Sequence, residues 1–235
     1  MKKIISLIVV LFILLSTLYI SVQFKNDKIY YLSLGDSLAA GRDSYGKYGH
    51  GYSDYISEYL EERGILEKYI RKFAKAGYEV EDLIEDINNN REITIDKEKI
   101  TIQNALVKAD LITLSIGSNN VMNAYKYDED IDLAIENALD KMEELFELLR
   151  LYSKEKIVVT SYYNPFYINL NWSSKVKKGN IKLEELAKKY GIIYVDIYDV
   201  FLDSTYLPVP TDPHPSNEGY KKISEIIIDR IGGEL

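Results

Sequence analysis

From Lys28 onward, short runs rich in β-branched and aromatic residues alternate with longer stretches whose apolar residues recur every three and four positions. That alternation admits few architectures, because successive strand-helix-strand units close through right-handed crossovers into a parallel sheet with helices on both faces. Strands are predicted at 29–34, 69–74, 111–116, 156–161 and 192–195, and helices at 52–63, 80–88, 100–108, 131–152, 175–190 and 217–231. Gly64, Gly77, Gly117 and Gly191 fall at the boundaries between them. Five parallel strands of this kind predict an α/β fold, a flavodoxin-like three-layer α/β/α sandwich with strand order 2-1-3-4-5. In such sheets ligands collect beyond the carboxyl ends of the strands, so the residues just after each strand are the first to search for chemistry.

The segment ahead of this pattern has another character. After Lys2 and Lys3, residues 4–24 carry no charge, and as a helix they would span about 32 Å, against a hydrocarbon core of about 30 Å. The small residues of a signal-peptidase site are weakly represented near Leu18-Tyr19-Ile20-Ser21. Residues 1–26 are therefore read as a signal-anchor transmembrane helix, with a cleaved signal peptide as the alternative. The slight excess of positive charge before the run orients residues 27–235, one domain, outward from the cell membrane. Secretion is the corresponding alternative.

Composition removes several kinds of chemistry. The chain of 235 residues has no cysteine, which excludes disulfides, thiolate metal sites and a cysteine nucleophile. With only His50 and His214, a histidine-rich metal site is not expected, and any histidine base is one of these two. The formal net charge of -8 and the lack of basic blocks argue against nucleic acid and favour a neutral or cationic substrate.

The predicted strand exits and the loop before the last helix carry four suggestive residues. Gly35-Asp36-Ser37-Leu38 puts a serine on the turn after the first strand, where backbone N–H groups face an anion. Ala76-Gly77 leaves a bare backbone N–H after the second, and Gly117-Ser118-Asn119-Asn120 offers a side-chain amide after the third. Asp212-Pro213-His214-Pro215 places a carboxylate and an imidazole in one proline-stiffened loop before the last helix. Taken singly, a helix N-cap or turn role accounts for each of Ser37, Gly77 and Asn119. It is their order along one sheet edge that points to a serine hydrolase. His50, in a loop rich in glycine and tyrosine, is a rival base without a neighbouring carboxylate to orient it. Asp196 and Asp199 are rival acids.

On these residues the chain resembles the SGNH, or GDSL-type, hydrolases from about Lys28 to the C-terminus. The likeness is carried by Gly35-Asp36-Ser37-Leu38, Gly117-Ser118-Asn119 and His214-Pro215-Ser216-Asn217-Glu218-Gly219-Tyr220. It implies a bacterial esterase, lipase or acylhydrolase with Ser37, His214 and Asp212 as catalytic residues and Ser37, Gly77 and Asn119 as the oxyanion hole. Neither metal nor organic cofactor is implied. Two positions depart from the family pattern. Asn120 stands where an aspartate is usual, and the acid stands two residues before the histidine instead of three, which leaves a Ser-His dyad open. The aromatic segment after the fourth strand, with Tyr163 and Phe166, is expected to line an acyl or aryl pocket. The expected partner is a small-molecule or lipid ester. Deacetylation of a surface polysaccharide, or a tethered binding module without turnover, are the alternatives.

Overall fold

The computed structural model describes residues 28–165 and 170–234. Its strands are β1 (Ile29–Gly35), β2 (Leu66–Ile70), β3 (Glu92–Ile95), β4 (Glu98–Thr101), β5 (Leu111–Ser115), β6 (Lys156–Thr160) and β7 (Ile193–Val195). All except β3 and β4 form one parallel sheet in the order β2-β1-β5-β6-β7, the order expected. Its helices are α1 (Tyr52–Glu62), α2 (Val80–Asn88), α3 (Ile102–Lys108), α4 (Ser118–Lys126), α5 (Ile131–Tyr152), α6 (Leu170–Lys189) and α7 (Asn217–Ile231).

Both faces of the central strands are buried, which is why β1 and β5 read as nearly unbroken apolar runs. Alternation divides β1 between two cores. Leu32 and Leu34 pack on one side with Leu83 of α2, Leu106 of α3 and Phe146 of α5. Tyr31 packs on the other with Ile56 of α1 and Ile223 of α7. These two apolar layers make the three-layer sandwich.

Four local features depart from the expected pattern. β2 covers Leu66–Ile70 and its pairing with β1 ends at Leu32 and Ile70. Beyond it Arg71 turns away to Asp54 and to the Gly49 carbonyl, so the apolar Phe73 and Ala74 belong to a loop, with Phe73 fully buried. The helix expected from residue 100 starts at Ile102, because Ile100 and Thr101 pair in a β3–β4 hairpin. Two elements are longer or new: α6 begins at Leu170, and α4 follows Gly117 directly. The expected anchor or signal segment, residues 1–26, lies outside the described residues. Among those described, no helix is long and apolar enough to cross a membrane.

One contact sets where β1 ends. Gly35 pairs with Ser115 of β5 and adopts a φ of +128°, and a Cβ on it would stand 1.8 Å from the Ser115 carbonyl oxygen. No side chain fits there without moving backbone. Gly35→Ala should therefore cost about 3 kcal/mol or more, from backbone strain and overlap together. Urea denaturation checks this, and an unchanged midpoint would contradict it.

Candidate active site

The turn after β1 is built on Asp36. Its N–H donates to the Ser115 carbonyl at 2.9 Å, and its carboxyl accepts from Leu38 N at 3.0 Å and from Ser118 Oγ at 3.2 Å. Asp36 thus acts as a cap on the turn holding Ser37 and ties it to the start of α4. Burial pushes its carboxyl up to about 7, against the opposing effect of those two bonds.

His214 reaches the same turn from the loop before α7. Ser216 caps that helix by accepting from Gly219 N at 3.2 Å, and Ser216 N donates to the Tyr206 carbonyl at 2.9 Å. The imidazole Nε2 lies 2.8 Å from Ser37 Oγ, and Nδ1 lies 2.6 Å from Asp212 Oδ1. The same Asp212 oxygen accepts the backbone N–H of His214 at 2.9 Å. This Asx-type turn explains how an acid only two residues away meets the ring, since the carboxylate folds back over its own loop. With Nδ1–H donating to Asp212, Nε2 is the acceptor for the Ser37 hydroxyl, a tautomer assigned from the bonding pattern. Ser37 is 7% exposed and His214 4%. Burial, reinforced by the nearby Arg42, lowers the pKa of His214 from its ordinary value, although Asp212 opposes the shift.

Gly77 and Asn119 border the same cavity as Ser37 and His214. The Asn119 amide donates one N–H to the Tyr78 carbonyl at 2.8 Å, which leaves the other for a ligand. Tyr78 is itself held, its hydroxyl donating to Asp86, which also pairs with Arg91. Asn120, at the position where a carboxylate is usual, accepts from Val80 N at 3.2 Å and donates to Glu81 at 2.7 Å. A second carboxylate beside Glu81 would repel it, so the neutral amide suits this surrounding. Gly117 has a φ of +103°, and a Cβ there would meet the Tyr162 hydroxyl at 2.3 Å.

The cavity measures about 190 Å³ and runs from Ser37 into the space between α4, α5 and α6. Its deeper wall includes Met122, Ala138, Leu139, Trp172, Val176 and Gly179. Tyr163 lines it and donates its hydroxyl to the Pro213 carbonyl, while Phe166 lies outside the described residues. His50 is exposed and bonds Glu58 at 2.6 Å, away from the cavity lining. Asp196 accepts from Ser161 Oγ and Tyr198 N, both at 2.8 Å. Among the described residues no group of three or more His, Asp or Glu is arranged to hold a metal.

The profile of the GDSL-like lipase/acylhydrolase family matches residues 33–222. The chain belongs to that family. It is an ester-bond hydrolase of the GDSL type, and solved structures agree with its fold. A lipase from a goat rumen metagenome is 24% identical, with a TM-score of 0.71 over 85% of this chain and 96% of the other. An acetylxylan esterase from Geobacillus stearothermophilus is 18% identical, with a TM-score of 0.63 over 86% and 93%. An α/β hydrolase from a Lake Arreo metagenome is 19% identical, with a TM-score of 0.63 over 86% and 94%. Among curated proteins, none matches the chain. Two parts of this GDSL site were not expected from sequence. Arg42 sits against His214, and the deep wall comes from helix faces that carry no motif.

The buried Asp36 yields a test. Because its carboxyl is raised from 3.8 to about 7, the folded state holds a proton that the unfolded chain releases between those values. Stability from this group is complete below about 3.8 and is lost as pH rises through about 7. Asp36→Asn cannot titrate, so the Tm of the wild type should fall relative to that of the variant between pH 4 and 8. A Tm difference that stays constant over that range would contradict the assignment.

Proposed function

We propose that this GDSL hydrolase cleaves carboxylic esters of short to medium acyl chains through a Ser37–His214–Asp212 triad. The carrying observation is the continuous relay from Ser37 Oγ to Nε2 at 2.8 Å and from Nδ1 to Asp212 at 2.6 Å. His214 takes the serine proton as Oγ attacks the ester carbonyl, and Asp212 stabilises the imidazolium that forms. The oxyanion is held by the N–H groups of Ser37 and Gly77 and the free amide N–H of Asn119. His214 hands its proton to the leaving alcohol, then activates water to release the acid from Ser37. No step calls on a metal or cofactor.

The cavity supports an acyl chain over an acetyl group. An apolar cavity of about 150 Å³ accommodates benzene, and the space here is larger, about 190 Å³, with a mostly apolar deep wall. We also read residues 4–24 as a membrane anchor. Lys28 precedes β1, and Ser37 follows its other end, so seven residues of strand set the site about 20 Å from the tether point. That arrangement favours substrates outside the bilayer.

The full-length chain should react with a fluorophosphonate at Ser37 and hydrolyse p-nitrophenyl hexanoate. Ser37→Ala and His214→Ala should abolish both, and Asp212→Asn should lower kcat by roughly 10³ to 10⁴ while keeping the fold. Full activity in Asp212→Asn would reduce the triad to a dyad, and hydrolysis by Ser37→Ala would remove the reading altogether. Since burial holds His214 below its ordinary 6.5, the acid limb of kcat/KM should also lie below that pH.

Chain length has its own probe. A Cβ on Gly179 would lie 3.4 Å from Ile135 Cγ2, at the cavity wall. Gly179→Leu should fill part of the cavity, lowering the octanoyl-to-acetyl ratio of kcat/KM at least roughly tenfold while helix stability holds or improves. Preference for acetyl esters in the wild type would instead favour the deacetylase.

A further inference from the structure

Arg42 stands beside the imidazole that must hand its proton to the leaving alcohol. Its backbone is fixed to the site, with N donating to the Ser37 carbonyl at 2.9 Å and O accepting from the Tyr220 hydroxyl at 2.5 Å. Its Nη1 lies 3.3 Å from His214 Nε2 and 3.4 Å from Nδ1. The in-plane directions at those two nitrogens are already taken by Ser37 and Asp212. The guanidinium therefore rests against the ring and keeps N–H donors to spare. Arg71 and Arg91, likewise half-buried, each hold an aspartate. For Arg42, which lines the cavity, no carboxylate lies within ion-pair distance among the described residues.

The chemistry of the ester step locates a substrate atom beside this group. To receive its proton, the leaving oxygen must come within about 3 Å of Nε2. Arg42 Nη1 is 3.3 Å from the same nitrogen, so the guanidinium and the alcohol portion are neighbours. The acyl chain occupies the opposite side, between α4, α5 and α6. A bare cation here is a handicap for a neutral ester, because it repels the imidazolium that forms as Ser37 attacks. A negative group on the alcohol would accept from the guanidinium and offset that repulsion as the charge develops, so its benefit would appear in kcat as well as KM.

Resting on the triad reading above, we propose that Arg42 is a specificity residue for the leaving group, and that the natural substrates are acyl esters of an anionic alcohol. The anion is a phosphate or carboxylate within a few bonds of the ester oxygen. The net charge of -8 disfavours extended polyanions. It does not decide a single charge met by a half-buried guanidinium.

Two matched pairs test this with the full-length chain: 1-hexanoylglycerol 3-phosphate against 1-hexanoylglycerol, and O-hexanoylglycolate against the hexanoyl monoester of ethylene glycol. The wild type should favour the anionic member of at least one pair by roughly 10- to 100-fold in kcat/KM. Arg42→Gln should erase that ratio and Arg42→Lys should retain part of it. The pair that responds identifies the anion. Equal rates within both pairs for the wild type, or a preference that survives Arg42→Gln, would overturn the proposal. The wild-type comparison alone suffices if Arg42→Gln does not fold. Neutral esters cleaved in a Ser37-dependent way without preference would sink the Arg42 assignment only. Failure of the wild type to cleave any of the four esters, or cleavage by Ser37→Ala, would sink the triad reading beneath it.

Discussion

The approach of β1 to β5 at their carboxyl ends is the constraint on which the site is built. Gly35 lies so close to the Ser115 carbonyl that a methyl group cannot be placed between them. The next residue, Asp36, donates its N–H to that carbonyl, and its carboxyl reaches Ser118 at the start of α4. The turn bearing Ser37 and the helix start bearing Asn119 are thereby joined through one buried aspartate. Were the strands farther apart, the serine and the amide would not border the same 190 Å³ space. Fold stability and site geometry thus meet at one point. Glycine is required there because a backbone contact, not a side-chain contact, does the joining.

The second support comes from the far end of the chain. α7 packs Tyr220, Ile223 and Ile227 against the sheet face that also buries Tyr31, and this docks the loop that carries His214 over Ser37. Tyr220 further donates to the Arg42 carbonyl, linking that helix to the turn it faces. Around the imidazole the charges are arranged unevenly. Asp212 lies at Nδ1 and Arg42 against the ring, while burial favours the uncharged ring. A neutral base that acquires charge only during reaction is what general-base catalysis requires.

Much of this was legible in the sequence, for physical reasons that differ by element. β1, β5 and β6 stand out because a strand buried on both faces must be apolar throughout, and α5 and α7 because their apolar stripes recur at helical spacing. The sequence pattern extends the second strand to residue 74 because Phe73 is as apolar as any strand residue, although it plugs the core from a loop. The β3–β4 hairpin carries no strong sequence signal because its turn residues, Asp96 and Lys97, adopt positive φ without the glycine that usually follows in such turns. Ser37, Gly77 and Asn119 could be listed because they follow predicted strands, and His214 because it shares a proline-stiffened loop with Asp212 ahead of the last helix. The reach of Asp212 could not, since it depends on a side chain folding back within its own loop. The deep wall of the cavity was equally hidden. Ala138, Val176 and Gly179 have the spacing and chemistry of ordinary core positions, and only the gap between α5 and α6 makes them a lining.

The proposals about the two ends of the substrate bear on the proposed anchor. If residues 4–24 anchor the chain as proposed, a site at the other end of β1, about 20 Å from Lys28, is poorly placed to draw a lipid from that bilayer. A soluble ester asks less of the geometry. Its acyl part need only fill a space of about 190 Å³, and its alcohol part carries the charge that keeps such a molecule in water and meets Arg42. Tethering would then serve to hold the enzyme in the outer compartment, with the mouth of the cavity turned to whatever diffuses there. The apolar wall selects one half of the molecule and the guanidinium the other, and Ser37 stands between them at the bond to be cut.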